Sequence, residues 1–264
     1  MTDTPNVDPV LFSADWARWH AERVAGVLDP LGVASLTSTN WLGDTPQQIE
    51  GVPGSWRAVD GRVVAEGLAD SRVTTVGEGT PVGDAVRLRF QEEVRDGERL
   101  LRAFGRDGVL ALRVLDPATP RRVTLRGIEA HRPDPEWKVL GRFIPGNGAE
   151  IDITQIDGHV SRGKLGGTIE LTVAGHDVAL TVTPTDGSAF SAVFGDSTNG
   201  IETYRFRFLR IPQPDGTGHV PVDFNRAYLP PCAFSDHYIC PLPSPGNRYD
   251  FPIRAGERTP VYAT

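Results

Sequence analysis

Along most of the chain, apolar and polar residues alternate with a period of two. The runs "EIDITQID" (150–157), "TIELTV" (168–173) and "DVALTVT" (177–183) each set apolar side chains on one face and polar ones on the other. That is the pattern of strands with one buried and one wet face, and so of antiparallel pairing. The last two runs, joined across Gly175, predict a hairpin. Shorter apolar runs predict further strands at 62–65, 73–76, 85–90, 100–104, 109–115, 122–128, 137–143, 189–194, 201–209 and 220–224. Asp-Gly pairs beginning at Asp60, Asp96, Asp107, Asp157, Asp186 and Asp215, with Asn147-Gly148, punctuate these runs and supply the positive φ of tight turns. The period changes once. Within "SADWARWHAERVAGVLD", Trp16, Trp19, His20, Val24, Val27 and Leu28 recur at three-and-four spacing, predicting an amphipathic helix over 13–28 with Ser13 as its N-cap. Arg23 is the one charge on that stripe, and the two Trp and His20 read as packing residues.

The expected fold is therefore mainly β, an antiparallel barrel or sandwich with one N-terminal amphipathic helix. Residues 1–264 read as a single unit, with a candidate subdivision at "IEAHRPDPEW" near 128–137, where two prolines interrupt the pattern. Composition agrees: 29 Gly and 22 Pro in 264 residues imply many turns and short elements. A net charge of -7 argues against a phosphate-tracking surface, so no nucleic-acid partner is expected. "MTDTPNVDPV" lacks a basic and then apolar leader, and no apolar run approaches the roughly 20 residues of a membrane span. A cytoplasmic protein with no membrane partner is expected. No pattern specifies a cofactor or an oligomeric state.

Candidate chemistry gathers near the C-terminal end. "GDSTNG" (195–200) is not a nucleophile elbow, because the second Gly follows the Ser by three residues. "GEGTPVG" (77–83) lies among strands and lacks the βαβ unit of a dinucleotide fingerprint. In "IETYRFRFLR", extended geometry would put Glu202, Tyr204, Phe206 and Phe208 on one face and Arg207 on the other. Burial there would make Glu202 a general acid or base of raised pKa; a place at the strand's end would leave it in water. In "VDFNRAY", Asp223 and Asn225 share a face and Arg226 can fork onto a carboxylate, as a ligand site or as a polar staple. Asp196 reads first as a turn cap. Cys232, His237 and Cys240 offer three soft ligands at poor zinc spacing; a disulfide, a thiol nucleophile with His237 as base, and two packed thiols are the other readings.

"FGDSTNGIETYRFRFL", "VDFNRAYLPPCAFSDHYICPLPSPGNR" and "IRAGE" resemble a bacterial and archaeal family catalogued as the domain of unknown function DUF1684, as do "WARWHAER", "LTSTNWL" and "PEWKVLGRFIP" upstream. The resemblance implies Asp196, Thr203, Tyr204, Arg207, Asp223, Asn225, Tyr228, Cys232, Cys240, Pro241 and Asn247 as signature positions. This chain departs from the family at Phe206, where members carry Gly, at Leu229, where they carry Asn, and at Arg258, where they carry Lys. The resemblance brings no activity with it.

Two functions fit these residues. One is a small-molecule site in which Arg207 holds an anionic group, Tyr204, Asn225 and Tyr228 contact the ligand, and Glu202 or Asp223 activates water for hydrolysis. That version needs a bulge or an edge to bring Arg207 round to Glu202 and Tyr204. The other is a non-catalytic binding or interaction protein in which the same residues form a structural network. A metal held by Asp196, Glu202 and Asp223 is a third arrangement.

Overall fold

The computed structural model describes residues 9–185 and 189–263, so the Asp186 turn lies outside the described residues. The fold is mainly β, with antiparallel sheets and one long helix. That helix, α1 (Pro9–Val27), begins four residues before the predicted N-cap, and Ser13 sits exposed inside it. Proline suits a first helical position because its φ is preset and its missing N–H would have had no partner there. The stripe holds and extends back to Phe12: Phe12 and Val27 are buried, and Trp16, Trp19, His20 and Val24 partly so. No helix among the described residues is long and apolar enough to cross a membrane.

The chain forms two compact units. One is Val27–Leu125 with Phe234–Tyr238 and the residues from Tyr262. Its strands are β1 (Leu36–Trp41), β2 (Gln47–Gln48), β3 (Ser55–Val59), β4 (Arg62–Glu66), β5 (Val73–Thr75), β6 (Ala85–Leu88), β7 (Glu93–Asp96), β8 (Arg99–Arg106) and β9 (Val109–Leu115). They make a five-stranded sheet ordered β1-β9-β8-β7-β5 and a four-stranded one ordered β2-β3-β4-β6. Trp56, Val63 and Ala65 from the smaller sheet share a core with Val94, Leu101, Leu112 and Val114 from the larger. The β3–β4 and β8–β9 turns carry positive φ at Asp60-Gly61 and Asp107-Gly108, as the Asp-Gly pairs require. The run 122–128 departs from expectation. Pro120 opens a helical turn, α2 (Pro120–Thr124), before the strand starts at Leu125.

The other unit is the chain up to Gly26 with Arg126–Ala233 and Ile239–Val261. Its strands are β10 (Leu125–Ala130), β11 (Lys138–Pro145), β12 (Glu150–Thr154), β13 (Val160–Lys164), β14 (Gly167–Val173), β15 (His176–Pro184), β16 (Ala189–Phe194), β17 (Arg207–Pro212), β18 (His219–Asp223) and β19 (Glu257–Tyr262). Six of them form one antiparallel sheet, β17-β16-β15-β14-β11-β18, and β18 returns beside β17, so the sheet curls almost into a barrel. β10 pairs with β19, and β12 with β13. Strict alternation in β14 sends Ile169, Leu171 and Val173 inward, where they meet Leu180, Val182, Phe194, Leu209, Val220 and Val222. The predicted hairpin turns at Ala174-Gly175, both with positive φ.

The strand expected at 201–209 begins only at Arg207. Ahead of it, the backbone N–H groups of Ile201, Glu202 and Thr203 all donate to the Thr198 carbonyl, closing a tight turn in place of a ladder. Local hydrogen bonding of this kind competes directly with strand pairing. The facing of Glu202, Tyr204 and Phe206 inferred from strand alternation therefore does not apply.

Candidate functional site

The C-terminal residues singled out in the sequence lie in the barrel unit, distributed over four hydrogen-bonded clusters. The first surrounds Asp196. Its Oδ1 accepts from Thr198 N (2.8 Å) and Thr198 Oγ1 (2.6 Å), the geometry of an Asx turn, and from Ile253 N (3.3 Å). Its Oδ2 takes Arg207 Nη2 at 2.5 Å. Arg207 opens β17 with its side chain directed into the protein. It is fully buried, donates to the Ile253 carbonyl at 2.8 Å and to the Ala255 carbonyl, and stacks 5.1 Å from the centre of the Phe194 ring. Burial lowers its pKa and Asp196 opposes that fall; a guanidinium stays cationic under these conditions. Thr203 and Asn199 complete the cluster, with Asn199 Nδ2 reaching Thr203 Oγ1 (2.9 Å) and the Tyr204 carbonyl (2.8 Å).

The second cluster follows β18. Asp223 caps a short 3-10 turn, Phe224–Arg226, and its Oδ1 accepts from Asn225 N and Nδ2, both at 3.0 Å. Asn225 is fully buried. It also clamps both backbone groups of Asp134: the Asp134 N–H donates to Oδ1 (2.9 Å), and Nδ2 donates to the Asp134 carbonyl (2.8 Å). Its own carbonyl accepts from Trp16 Nε1 at 2.8 Å. Arg226 pairs with Asp15 of α1, and more loosely with Asp223 (3.7 Å). Asp223 and Asn225 thus pin the helix and the 134–137 connection to the end of a barrel strand.

The third cluster centres on Glu257, which is fully buried. Its carboxylate takes Arg23 Nε (2.9 Å) and Nη2 (3.1 Å) and the Leu229 N–H (2.7 Å). Arg23 also lies 5.0 Å from the centre of the Tyr228 ring, and Tyr228 meets Phe208 edge-on at 5.7 Å. This explains the charge on the helical stripe: Arg23 faces the protein because a buried carboxylate waits there. Gly256 makes that placement feasible. Its φ is +77°, and a Cβ would stand 2.5 Å from the Ala227 carbonyl oxygen and 2.9 Å from that of Phe224. Glu257 and Arg23 were not among the candidate residues, although the lone Arg on an apolar stripe was the available signal.

Glu202 is different. It is partly exposed and held in a fork by Arg254, with contacts of 2.7–3.2 Å. That bond holds its carboxyl below the usual range, opposite to the raised pKa expected of a buried acid. Arg258 closes this face, reaching Glu129 (2.9 Å) and the Glu202 carbonyl (3.3 Å). His131, which the sequence did not single out, lies in the field of Arg207, Arg258, Glu202 and Arg254, and its pKa is lowered chiefly by burial. Tyr204 belongs to a fourth cluster: its hydroxyl donates to the Cys232 carbonyl at 3.0 Å. Cys232 and Cys240 are buried free thiols, whereas His237 is exposed. The two departures from the family pattern on this side are both apolar and buried, Phe206 and Leu229.

The structure therefore brings Asp223 to Asn225, but sets Arg207, Glu202, Tyr204 and Tyr228 in separate clusters with partners of their own. No group of three or more His, Cys, Asp or Glu residues able to hold a metal occurs among the described residues, Asp196, Glu202 and Asp223 included. A cleft of about 520 Å³ lies in the other unit, where buried Asp96 is shared by Arg72 (2.7 Å) and Arg99 beside Gly51.

The family model described as "Protein of unknown function (DUF1684)" matches residues 124–258. A solution NMR structure of an uncharacterized protein from Haloarcula marismortui is similar at 27% identity over 51% of this chain and 77% of that one, with a TM-score of 0.43. No curated protein matches the chain.

Proposed function

The chain belongs to the DUF1684 family, and from the burial and pairing of Arg207 and Asn225 we propose that it is a non-catalytic binding or interaction protein whose signature residues are the polar framework of the barrel unit. The observation that carries this reading is the state of Arg207: fully buried, with its terminal nitrogens committed to Asp196, Ile253 and Ala255. The side chain has no exposed surface, so an anion could reach its Nε–H, unpartnered among the described residues, only by opening the cluster, and breaking a buried pair costs about 3–5 kcal/mol. Asn225 is spent in the same way, on Asp223 and both backbone groups of Asp134.

The second reading is a small-molecule site, hydrolytic if Glu202 or Asp223 serves as base. What favours it is the partly exposed Glu202–Arg254 fork with His131, an imidazole held neutral, in its field. Native mass spectrometry read against the denatured mass, with melting of Asp223→Ala, separates the two. The framework predicts a native mass equal to the bare chain and a clear fall in melting temperature for the variant. Retained ligand mass, with an unchanged melting temperature for Asp223→Ala, supports the small-molecule site and overturns the framework.

A further inference from the structure

We propose that the cleft beside Asp96 is a binding site for a small organic monocarboxylate, with Arg72 as the residue that holds the carboxylate. The proposal concerns the other unit and stands whichever reading of the barrel framework is right. The cleft encloses about 520 Å³, within the range of small-molecule sites, and its lining lies wholly within Val27–Leu125. That lining combines four charged residues, Arg72, Arg99, Asp96 and Asp70, with the apolar Val52 and Pro53. The turn between β7 and β8 fixes Arg72. Asp96 ends β7 almost fully buried, in register with Arg99 of β8 and with Val73 of β5, the residue after Arg72. Its Oδ1 accepts from Arg72 Nε at 2.7 Å and its Oδ2 from Arg99 Nη2, which also donates to the Gly51 carbonyl at 2.5 Å. Gly97 leaves room for the Arg72 guanidinium: a Cβ there would stand 3.4 Å from its Cζ and Nε. Held at Nε and against the turn, Arg72 has little freedom left to lose when a ligand binds.

The two arginines differ in what they have left to give. Arg99 is mostly buried and is spent on Asp96 and Gly51. Arg72 is 69% exposed, and its two terminal nitrogens have no partner among the described residues. Those nitrogens are the end-on fork that matches the paired oxygens of a carboxylate or phosphate. Arg207 is the opposite case, buried with its terminal nitrogens committed. Charge then selects between the two anions. Asp96 offsets one of the two guanidinium charges. Asp70, exposed and with a carboxylate that makes no hydrogen bond or ion pair among the described residues, offsets the other. The cost of stripping water from an ion rises with the square of its charge, whereas its attraction to Arg72 rises only linearly. With no surplus positive charge in the lining, a monoanion is favoured over a phosphate dianion, and Val52 and Pro53 suit a short alkyl body.

The test follows the backbone amide resonances of residues 70–73 and 96–99 in the full chain as sodium butyrate is added at constant ionic strength. Butyramide and inorganic phosphate serve as comparators. The expected result is a saturable shift with butyrate, none with the neutral amide, and weaker binding of phosphate. Arg72→Lys keeps the charge but loses the fork, and should weaken butyrate about tenfold, the loss of one charge-assisted hydrogen bond. Asp70→Asn removes the opposing charge at an exposed position and should tighten phosphate more than butyrate. Four outcomes overturn the proposal: no saturable shift at these residues, an equal response to butyramide, phosphate binding at least as tightly as butyrate, and Arg72→Lys binding butyrate like wild type.

Discussion

Replacing Arg207 with Met is the sharpest perturbation of the framework. Methionine fills a similar volume and can still lie against Phe194, so the packing loss is small. What changes is electrostatic. Asp196 keeps the two hydrogen bonds from Thr198 and the one from Ile253 N on Oδ1, but Oδ2 loses its counter-ion at a position with no exposure. The Ile253 and Ala255 carbonyls lose a donor at the same time. Removing one member of a buried ion pair costs about 3–5 kcal/mol, dominated by the stranded charge. Against a total stability of about 5–15 kcal/mol, this is about a fifth of the margin at the least. With each kcal/mol worth about 2–4 °C for a protein of this size, the melting temperature should fall by roughly 6–20 °C.

Calorimetry or circular-dichroism melts of wild type, Arg207→Met, Asp196→Asn and the double variant make a closed cycle. The framework predicts that the double variant is milder than the sum of the singles by at least about 2 kcal/mol, because neither charge is then left alone. A single Arg207→Met variant melting within about 2 °C of wild type would refute the reasoning. Additive singles would refute it as well, since they would mean that Arg207 and Asp196 do not depend on each other.

Three other perturbations test neighbouring parts of the argument. Gly256→Ala should destabilise the protein by more than about 2 kcal/mol in a urea melt, since a Cβ meets two carbonyl oxygens at positive φ; a loss under about 1 kcal/mol would show that the segment holding Glu257 can shift freely. Tyr249→Phe should leave stability unchanged or raise it by about 1 kcal/mol, because the buried Tyr249 hydroxyl finds no partner among the described residues; a clear loss would mean that the hydroxyl is satisfied. His131 and His20 both have pKa values lowered from 6.5, in each case chiefly by burial, so the folded state binds fewer protons than the unfolded one below that value. Stability present at neutral pH should therefore be lost as pH falls through 6.5 toward the folded-state values, and a His131→Asn, His20→Asn double variant should flatten that slope in melts from about pH 7 to about pH 5.

Much of the fold is legible where a local pattern and its tertiary use coincide. β14 and β15 alternate because one face of the barrel sheet is packed and the other wet, and the Asp-Gly turns are legible because positive φ is a local demand. The elements that escape are those whose local sequence argues the other way. β19 contains Pro260, yet it lies in a two-stranded ribbon where a missing N–H can face away from the ladder. β13 contains Gly163, which reads as a breaker; a Cβ there would stand 2.3 Å from Ile153 Cδ1, so the glycine makes room for a cross-strand side chain. The segment before Arg207 errs in the opposite direction. Its apolar and polar residues alternate well, but the Thr198 carbonyl collects three N–H groups and turns the chain before the strand can start.

The candidate site shows the same division at a longer range. Residue types near the C-terminal end announce polar chemistry, and Asp196, Arg207, Asp223 and Asn225 each sit in a hydrogen-bonded cluster of the barrel unit. Whether that chemistry faces a ligand or the protein depends on partners that spacing cannot supply. Arg23 and Glu257 stand 234 residues apart and meet in one buried ion pair; Asn225 reaches back 91 residues to Asp134 and Trp16 forward 209 residues to Asn225. A buried charge must find an opposite charge or donors enough to replace water, and a helix stripe with a single Arg states half of that requirement. The other half was already present in "IRAGE", where a glycine that only a crowded, positive-φ backbone needs stands directly before a glutamate. Read together, the intruding charge and the constrained carboxylate are a pairing argument that neither motif makes alone.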